Sequence, residues 1–242
     1  MNNPLKENEI VALVRRMELM STLIKRQIQE EIITLVKLPA EWHEDAFNDF
    51  LKDEKIAEAD VPNWLDQKGW EREDLTLHLA LPEALFRFSK QRFGPGLEEH
   101  YLSSAANLDT VIYSLVRLRD SLLAKELWMR LCENEVSFLD VASNFGEGPE
   151  SKRKGLIGPL PIGTLEPPVL RKTLRELSPG EFTPPFQFGG WNLLIRLEQF
   201  TPSAFDEPMK EKLLRDQMNK FIEERSNSLL NGLPVEPLHY DC

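Results

Sequence analysis

Cysteine is scarce in this 242-residue chain, represented by Cys132 and Cys242 alone. Two thiols, one within a helical pattern and one at the last residue, exclude a disulfide framework and a cysteine-held metal knot. No run approaches the ~18 uninterrupted apolar residues of a membrane span. The opening stretch MNNPLKENEIVALVRR mixes charge into its apolar positions and lacks a signal peptide's apolar centre, so a complete chain of this kind is expected to be cytoplasmic. Histidine is sparse too, and His43, His78, His100 and His239 all fall outside residues 107–200. Nor is there a basic excess. The chain carries 40 acidic and 29 basic side chains, a net charge of −11. The surplus lies at the ends, and residues 107–200 hold 11 basic and 12 acidic groups. That balance excludes broad binding to nucleic acid or anionic membranes.

What is present is mostly helical pattern. Ile10, Leu13, Val14, Met17, Met20, Ile24, Ile28, Ile32 and Leu35 recur at three- and four-residue spacing, which predicts one long helix over 9–37 that Pro39 stops. Further helices are expected at about 40–52, from Pro62 to Gly69, and at about 75–92 behind an Asp74 cap. Phe93-Gly94-Pro95-Gly96 is a break. Beyond it the period changes. VIYSLVRL (111–118) and WNLLIRLE (191–198) read as strands, and residues 121–134, 138–145 and 167–177 as helices. The glycine-rich stretch 146–163 lies between them. Residues 206–231 form another amphipathic helix, and the proline-containing tail from Leu233 is expected to be loose.

In order, the middle elements run strand, helix, helix, strand, helix, strand, strand. That order resembles the parvulin-type (PpiC, rotamase) prolyl isomerases, and local motifs agree. VSFLDVASNFGEGPESKRKGLIGPL is similar to the family segment in which a helix ends at a polar loop before a Gly-Gly-x-Leu-Gly run, here Gly155-Leu156-Ile157-Gly158. LSPGEFTPPFQFGGWNLLIRLE is similar to the family's Pro-Gly-Glu turn and closing strand. The flanks, including DVPNWLDQKGWEREDLTLHLALPEALFRF, resemble the helical frame of secretion-chaperone parvulins, and more narrowly a leaderless cyanobacterial group. The resemblance implies an α+β chain: a small antiparallel or mixed four-stranded sheet with helices, plus an all-α domain made by both chain ends. Its divisions would be 1–106 (helical domain), 107–200 (isomerase-like domain), 201–232 (a helix packing back on the first domain) and 233–242 (tail).

Prolyl isomerisation breaks no bond. The ~18–20 kcal/mol barrier is amide resonance lost as the C–N bond twists. The site therefore needs an apolar pocket for the ring and a few hydrogen-bonding groups, but no nucleophile, metal or cofactor. Carried over by the resemblance, the pocket falls on Ile157, Leu165 and Val169, with Leu170 as a one-residue alternative and Trp191 as wall or strand anchor. Each could equally be core. The family's paired sheet histidines fall on Tyr113 and Asn192, which keep hydrogen-bonding capacity without imidazole. The cysteine-or-aspartate position falls near Gly148, beside Glu147. The resemblance implies a foldase acting on proline-containing extended polypeptides. The alternatives are an inactive peptide-binding escort and a docking subunit of a secretion machine.

Overall fold

The N-terminal pattern forms two helices, α1 (Glu7–Arg16) and α2 (Met20–Val36), where one was expected. Leu19 N donates to Val14 O and Glu18 N to Arg15 O, with Glu18 at φ 59°. This paired bonding closes a helix C-terminus in the manner usually supplied by glycine. A glutamate in that conformation costs roughly 1–2 kcal/mol, so no sequence signal marks the stop. The computed structural model describes residues 7–241, which leaves Cys242 outside the described residues.

The next helices are α3 (Ala40–Glu54), α4 (Val61–Lys68), α5 (Arg72–Phe93) and α6 (Leu97–Leu108). Helix α5 begins a little before the expected cap. Asp74 sits inside its first turn and accepts from Glu71 N at 2.7 Å. The expected break is a single 3-10 turn, Gly94–Gly96, leading straight into α6. Strand β1 (Thr110–Leu118) follows, then α7 (Ser121–Cys132), α8 (Phe138–Phe145), a 3-10 turn (Pro149–Arg153) and β2 (Leu156–Pro161). The chain continues through α9 (Pro168–Glu176), β3 (Phe186–Phe188), β4 (Trp191–Thr201) and α10 (Glu207–Leu230).

These elements form two units, one of residues up to Glu98 with those from Glu207 onward, the other of Glu99–Asp206. The division falls before residue 106 and after 200 for a local reason. Tyr101 Oη donates to Ser203 O at 2.9 Å, and Ser203 N donates to Asp109 at 2.9 Å. Tyr101 also stacks on Phe205 with ring centroids 5.0 Å apart.

In the helical unit α2, α5 and α10 share one core. Ile28 and Ile32 meet Phe88, Met218 and Ile222 there. Ala80, Ala84 and Ser89 on α5 and Ser226 on α10 are buried, and their small side chains allow close approach of the helices. An ion pair joins Lys25 on α2 to Glu223 on α10. A second cluster gathers Phe50, Val61, Leu65 and Leu75, with Trp64 and Trp70 packed against it.

The tail is not loose. Leu238 is buried in the α2–α5–α10 core, and Tyr240 stacks on Phe88 at 6.3 Å. Arg225 Nη1 donates to Glu236 O at 2.6 Å, and Gln91 donates to Asp241 at 3.2 Å. Leu238→Ala should therefore cost about 2–5 kcal/mol, as buried leucine truncations do. Urea unfolding followed by helical signal would read this loss, whereas Leu233→Ala, at a position 56% exposed, should change little.

The second unit is a wholly antiparallel sheet in the order β2-β1-β4-β3. Residues facing one another across such a ladder share a face, so Leu115↔Ile195 and Arg117↔Leu193 lie on one side, and Val116↔Leu194 and Leu118↔Asn192 on the other. Helices α7 and α8 close the second side. Val116, Leu118 and Leu194 are buried there with Ala124, Leu127 and Val141. Gly155 leads into β2 at φ +78°, where a Cβ would come within 2.8 Å of Leu115 O. Only glycine fits that approach, which accounts for the first glycine of the Gly-Leu-Ile-Gly run.

Candidate functional site

The first sheet face is only partly covered. Leu170 and Leu174 of α9, with Ile162 and Leu165, bury Val111, Tyr113 and Leu197. Beyond them the face opens into a groove of about 250 Å³. Tyr113, Leu115 and Arg117 of β1 and Trp191, Leu193 and Ile195 of β4 line it from the sheet. Val169 and Leu170 of α9 and Phe186 and Phe188 of β3 form the walls. The volume is just below the ~300–1,000 Å³ typical of small-molecule and cofactor sites. Val169 and Phe188 are 40% and 43% exposed, so apolar surface is on offer.

Four of the expected site residues meet in this groove: Tyr113, Val169, Leu170 and Trp191. Four others lie elsewhere. Ile157 stands opposite Tyr113 on β2, and Leu165 is 5% exposed; both belong to the core beside the groove and are not among its walls. Asn192 is on the far face. Its Nδ2 donates to Leu118 O at 3.2 Å and Arg119 O at 3.0 Å, and the register sets Leu197, not Asn192, across from Tyr113. The expected Tyr113–Asn192 pair therefore does not form, because Asn192 has the wrong parity on β4 to share Tyr113's face. Glu147 accepts from Arg119 N at 2.7 Å and ties its loop to the end of β1.

The polar floor holds residues that the motif comparison passed over. Arg117 Nε lies 3.0 Å from Glu150 Oε1, and the Glu150 side chain is only 4% exposed. Their alignment is that of an ion pair, without hydrogen-bond geometry. Burial raises the Tyr113 hydroxyl above the usual tyrosine range; Arg117 opposes this and Glu150 adds to it. Period-two alternation along β1 would have placed Arg117 beside Tyr113 and Leu115, and the alternation of Phe186-Gln187-Phe188 would have raised both phenylalanines. Glu150 gave no such sign, since a loop glutamate normally faces water. Arg119, just past β1, places its guanidinium 4.8 Å over the Trp191 ring. Among the described residues no group of three or more His, Cys, Asp or Glu is placed to hold a metal ion. None of their helices is long and apolar enough to cross a membrane.

A four-stranded antiparallel sheet with this strand order, two helices on one face, a groove beside a third on the other, and a separate helical unit drawn from both chain ends make up a parvulin-type (PpiC) fold with an added helical domain. Among solved structures, a peptidylprolyl isomerase (PrsA) from Bacillus cereus is 15% identical, with a TM-score of 0.50 over 96% of this chain and 90% of that one. The PrsA isomerase from Bacillus anthracis is 17% identical, with a TM-score of 0.48 over 89% and 100%. A structure from a study of SurA-like chaperones in Campylobacter jejuni is 14% identical, with a TM-score of 0.38 over 97% and 96%. At such identities the likeness is one of fold. No protein-family model and no curated protein matches the sequence.

Proposed function

We propose that this chain is a prolyl-isomerase-like foldase that takes proline-containing extended segments into the groove on the sheet. The observation that carries the proposal is a partly exposed apolar groove that includes Tyr113 and Arg117 among its lining residues. A proline ring would pack against Trp191, Phe188 and Val169, shedding water from apolar surface on both sides. A drier surrounding disfavours the polarised planar amide relative to the twisted one. Tyr113 and Arg117 would donate to the proline nitrogen as its lone pair leaves conjugation, and the reaction needs no cofactor. The helical unit is, on this reading, a second surface for unfolded chain, and docking to an export apparatus belongs to the same proposal.

A second reading has its own support: the groove lining contains no imidazole. A binding escort with the same pocket would hold proline segments without turning them. A proline-limited refolding assay beside a peptide-binding titration separates the two. Catalysis should appear as acceleration of the slow phase, with a rate nearly flat from pH 6 to 8, because Tyr113 stays protonated there. The raised hydroxyl releases its proton later than an unfolded tyrosine, so its effect on stability appears only as a loss above about pH 10. A steep change between pH 6 and 8 would place a titrating group in the site and refute this assignment. Tight binding without acceleration would establish the escort.

A further inference from the structure

We infer that residues 233–241 plug a polypeptide-binding cleft on the helical unit, and that an extended segment of another chain with the same leucine-x-tyrosine pattern displaces them. The inference gives a site to the helical unit's part in the proposed function and stands without the groove on the sheet. Helix α10 ends at a left-handed Gly232 (φ +67°), where Gly232 N donates to Leu229 O and Leu233 N to Ser228 O. That paired bonding stops the helix and turns the chain back along it. From Leu233 to Asp241 the chain belongs to no helix or strand. Pro234 and Pro237 have no amide hydrogen to give, and Leu233, Glu236 and His239 face outward. Two side chains on alternate positions anchor the segment, Leu238 in the core and Tyr240 against Phe88. The hydrogen bonds from Arg225 to Glu236 O and from Gln91 to Asp241 complete the hold.

The cleft beneath suits such a segment. Phe221 meets both Phe88 and Phe93 with ring centroids 6.1 Å apart, and the Arg92 guanidinium stands 4.6 Å over its ring. Leucine and tyrosine two positions apart point to one side of an extended chain, so both reach an apolar floor together. The polar side of the cleft is met only in part. Arg225 is 10% exposed; its Nη1 serves Glu236 O and its Nη2 lies 3.8 Å from Glu31, but its Nε is buried without a hydrogen-bond acceptor. Gln217, two turns back on the same face of α10, also has a buried amide nitrogen with no acceptor. Buried donors are almost always paired, so a segment that satisfied these two would fit better than the resident one. A tethered segment competes at an effective concentration on the order of millimolar. The plug therefore hides the cleft from weak binders and yields to a well-matched chain.

The test titrates a labelled, blocked peptide of residues 233–241 into the full chain and into Leu238→Asp/Tyr240→Asp, whose own segment can no longer dock. The variant should bind the peptide at least about tenfold tighter than the parent, which must first release its resident copy. The same peptide with aspartate in place of its leucine and tyrosine should bind neither. Adding Arg225→Met to the variant should weaken binding about tenfold, since the apolar stem stays and the donors go. If the double variant loses helical signal, Tyr240→Asp alone carries the titration, because that ring is only partly buried. Equal affinity for parent and variant, or binding to neither, overturns the plug. Unfolding of both variants overturns it too, by making 233–241 an integral part of the core. Binding that Val169→Asp/Phe188→Asp abolishes, and that release of the segment leaves unchanged, belongs to the sheet groove; it removes the cleft and leaves the groove reading intact.

Discussion

Removing residues 207–242 should unfold the helical unit while the sheet unit stays folded. Helix α10 places Leu213, Leu214, Met218 and Ile222 in buried positions, and the tail adds Leu238. Large-to-small changes at single buried sites of this kind cost about 2–5 kcal/mol. Losing five together, about 10–25 kcal/mol, matches or outweighs the ~5–15 kcal/mol that holds a typical domain. The cut belongs after Asp206, because Ser203 bonds to Tyr101 and Asp109 within the sheet unit. Hydrogen exchange makes the outcome legible by segment. Amides of α2 and α5 should lose protection, while those of β1 and β4, whose core residues lie within Glu99–Asp206, should keep it. A truncated chain that protects α2 and α5 as the intact one does would show that α10 is not part of their core.

How much of this could be read from residues depends on whether the deciding interaction is local. Strands VIYSLVRL and WNLLIRLE announce themselves by β-branched and apolar content, and the helices by their spacing. Nothing local fixes which face of β4 meets which side chain. That is set by the ladder register, in which one step exchanges faces, and so Asn192 was expected beside Tyr113 but lies behind the sheet. The α1–α2 break was hidden because Glu18 adopts a conformation that glycine would have advertised. Helix α6 was masked by the Gly-Pro-Gly before it, which ends one helix and begins the next within a single turn. The tail's anchoring turns on one leucine among prolines, and Glu150's burial on a cation contributed from a strand far back in the chain. These are tertiary facts, and local sequence carries no record of them.

The sharpest separation of groove from core comes from acidic replacements at two groove-wall positions and at one core position beside them. Val169 is 40% exposed on the groove wall, and Phe188 faces the same space at 43%. In Val169→Asp/Phe188→Asp the new carboxylates reach water, so the fold should survive. Peptide binding should fall at least tenfold, because apolar contact is lost and a charge must be desolvated when the segment docks. Leu165 is 5% exposed and packed in the same-face core as Val111 and Leu174. Leu165→Asp buries a carboxylate without a cation, a change that costs several kcal/mol and should lower the melting temperature of the sheet unit or unfold it. Thermal melts and one titration of a proline peptide decide both points. If the double variant binds like the parent, the proline segment does not use this groove. If Leu165→Asp melts like the parent but loses binding, Leu165 is a wall of the site after all, as the motif alignment had implied.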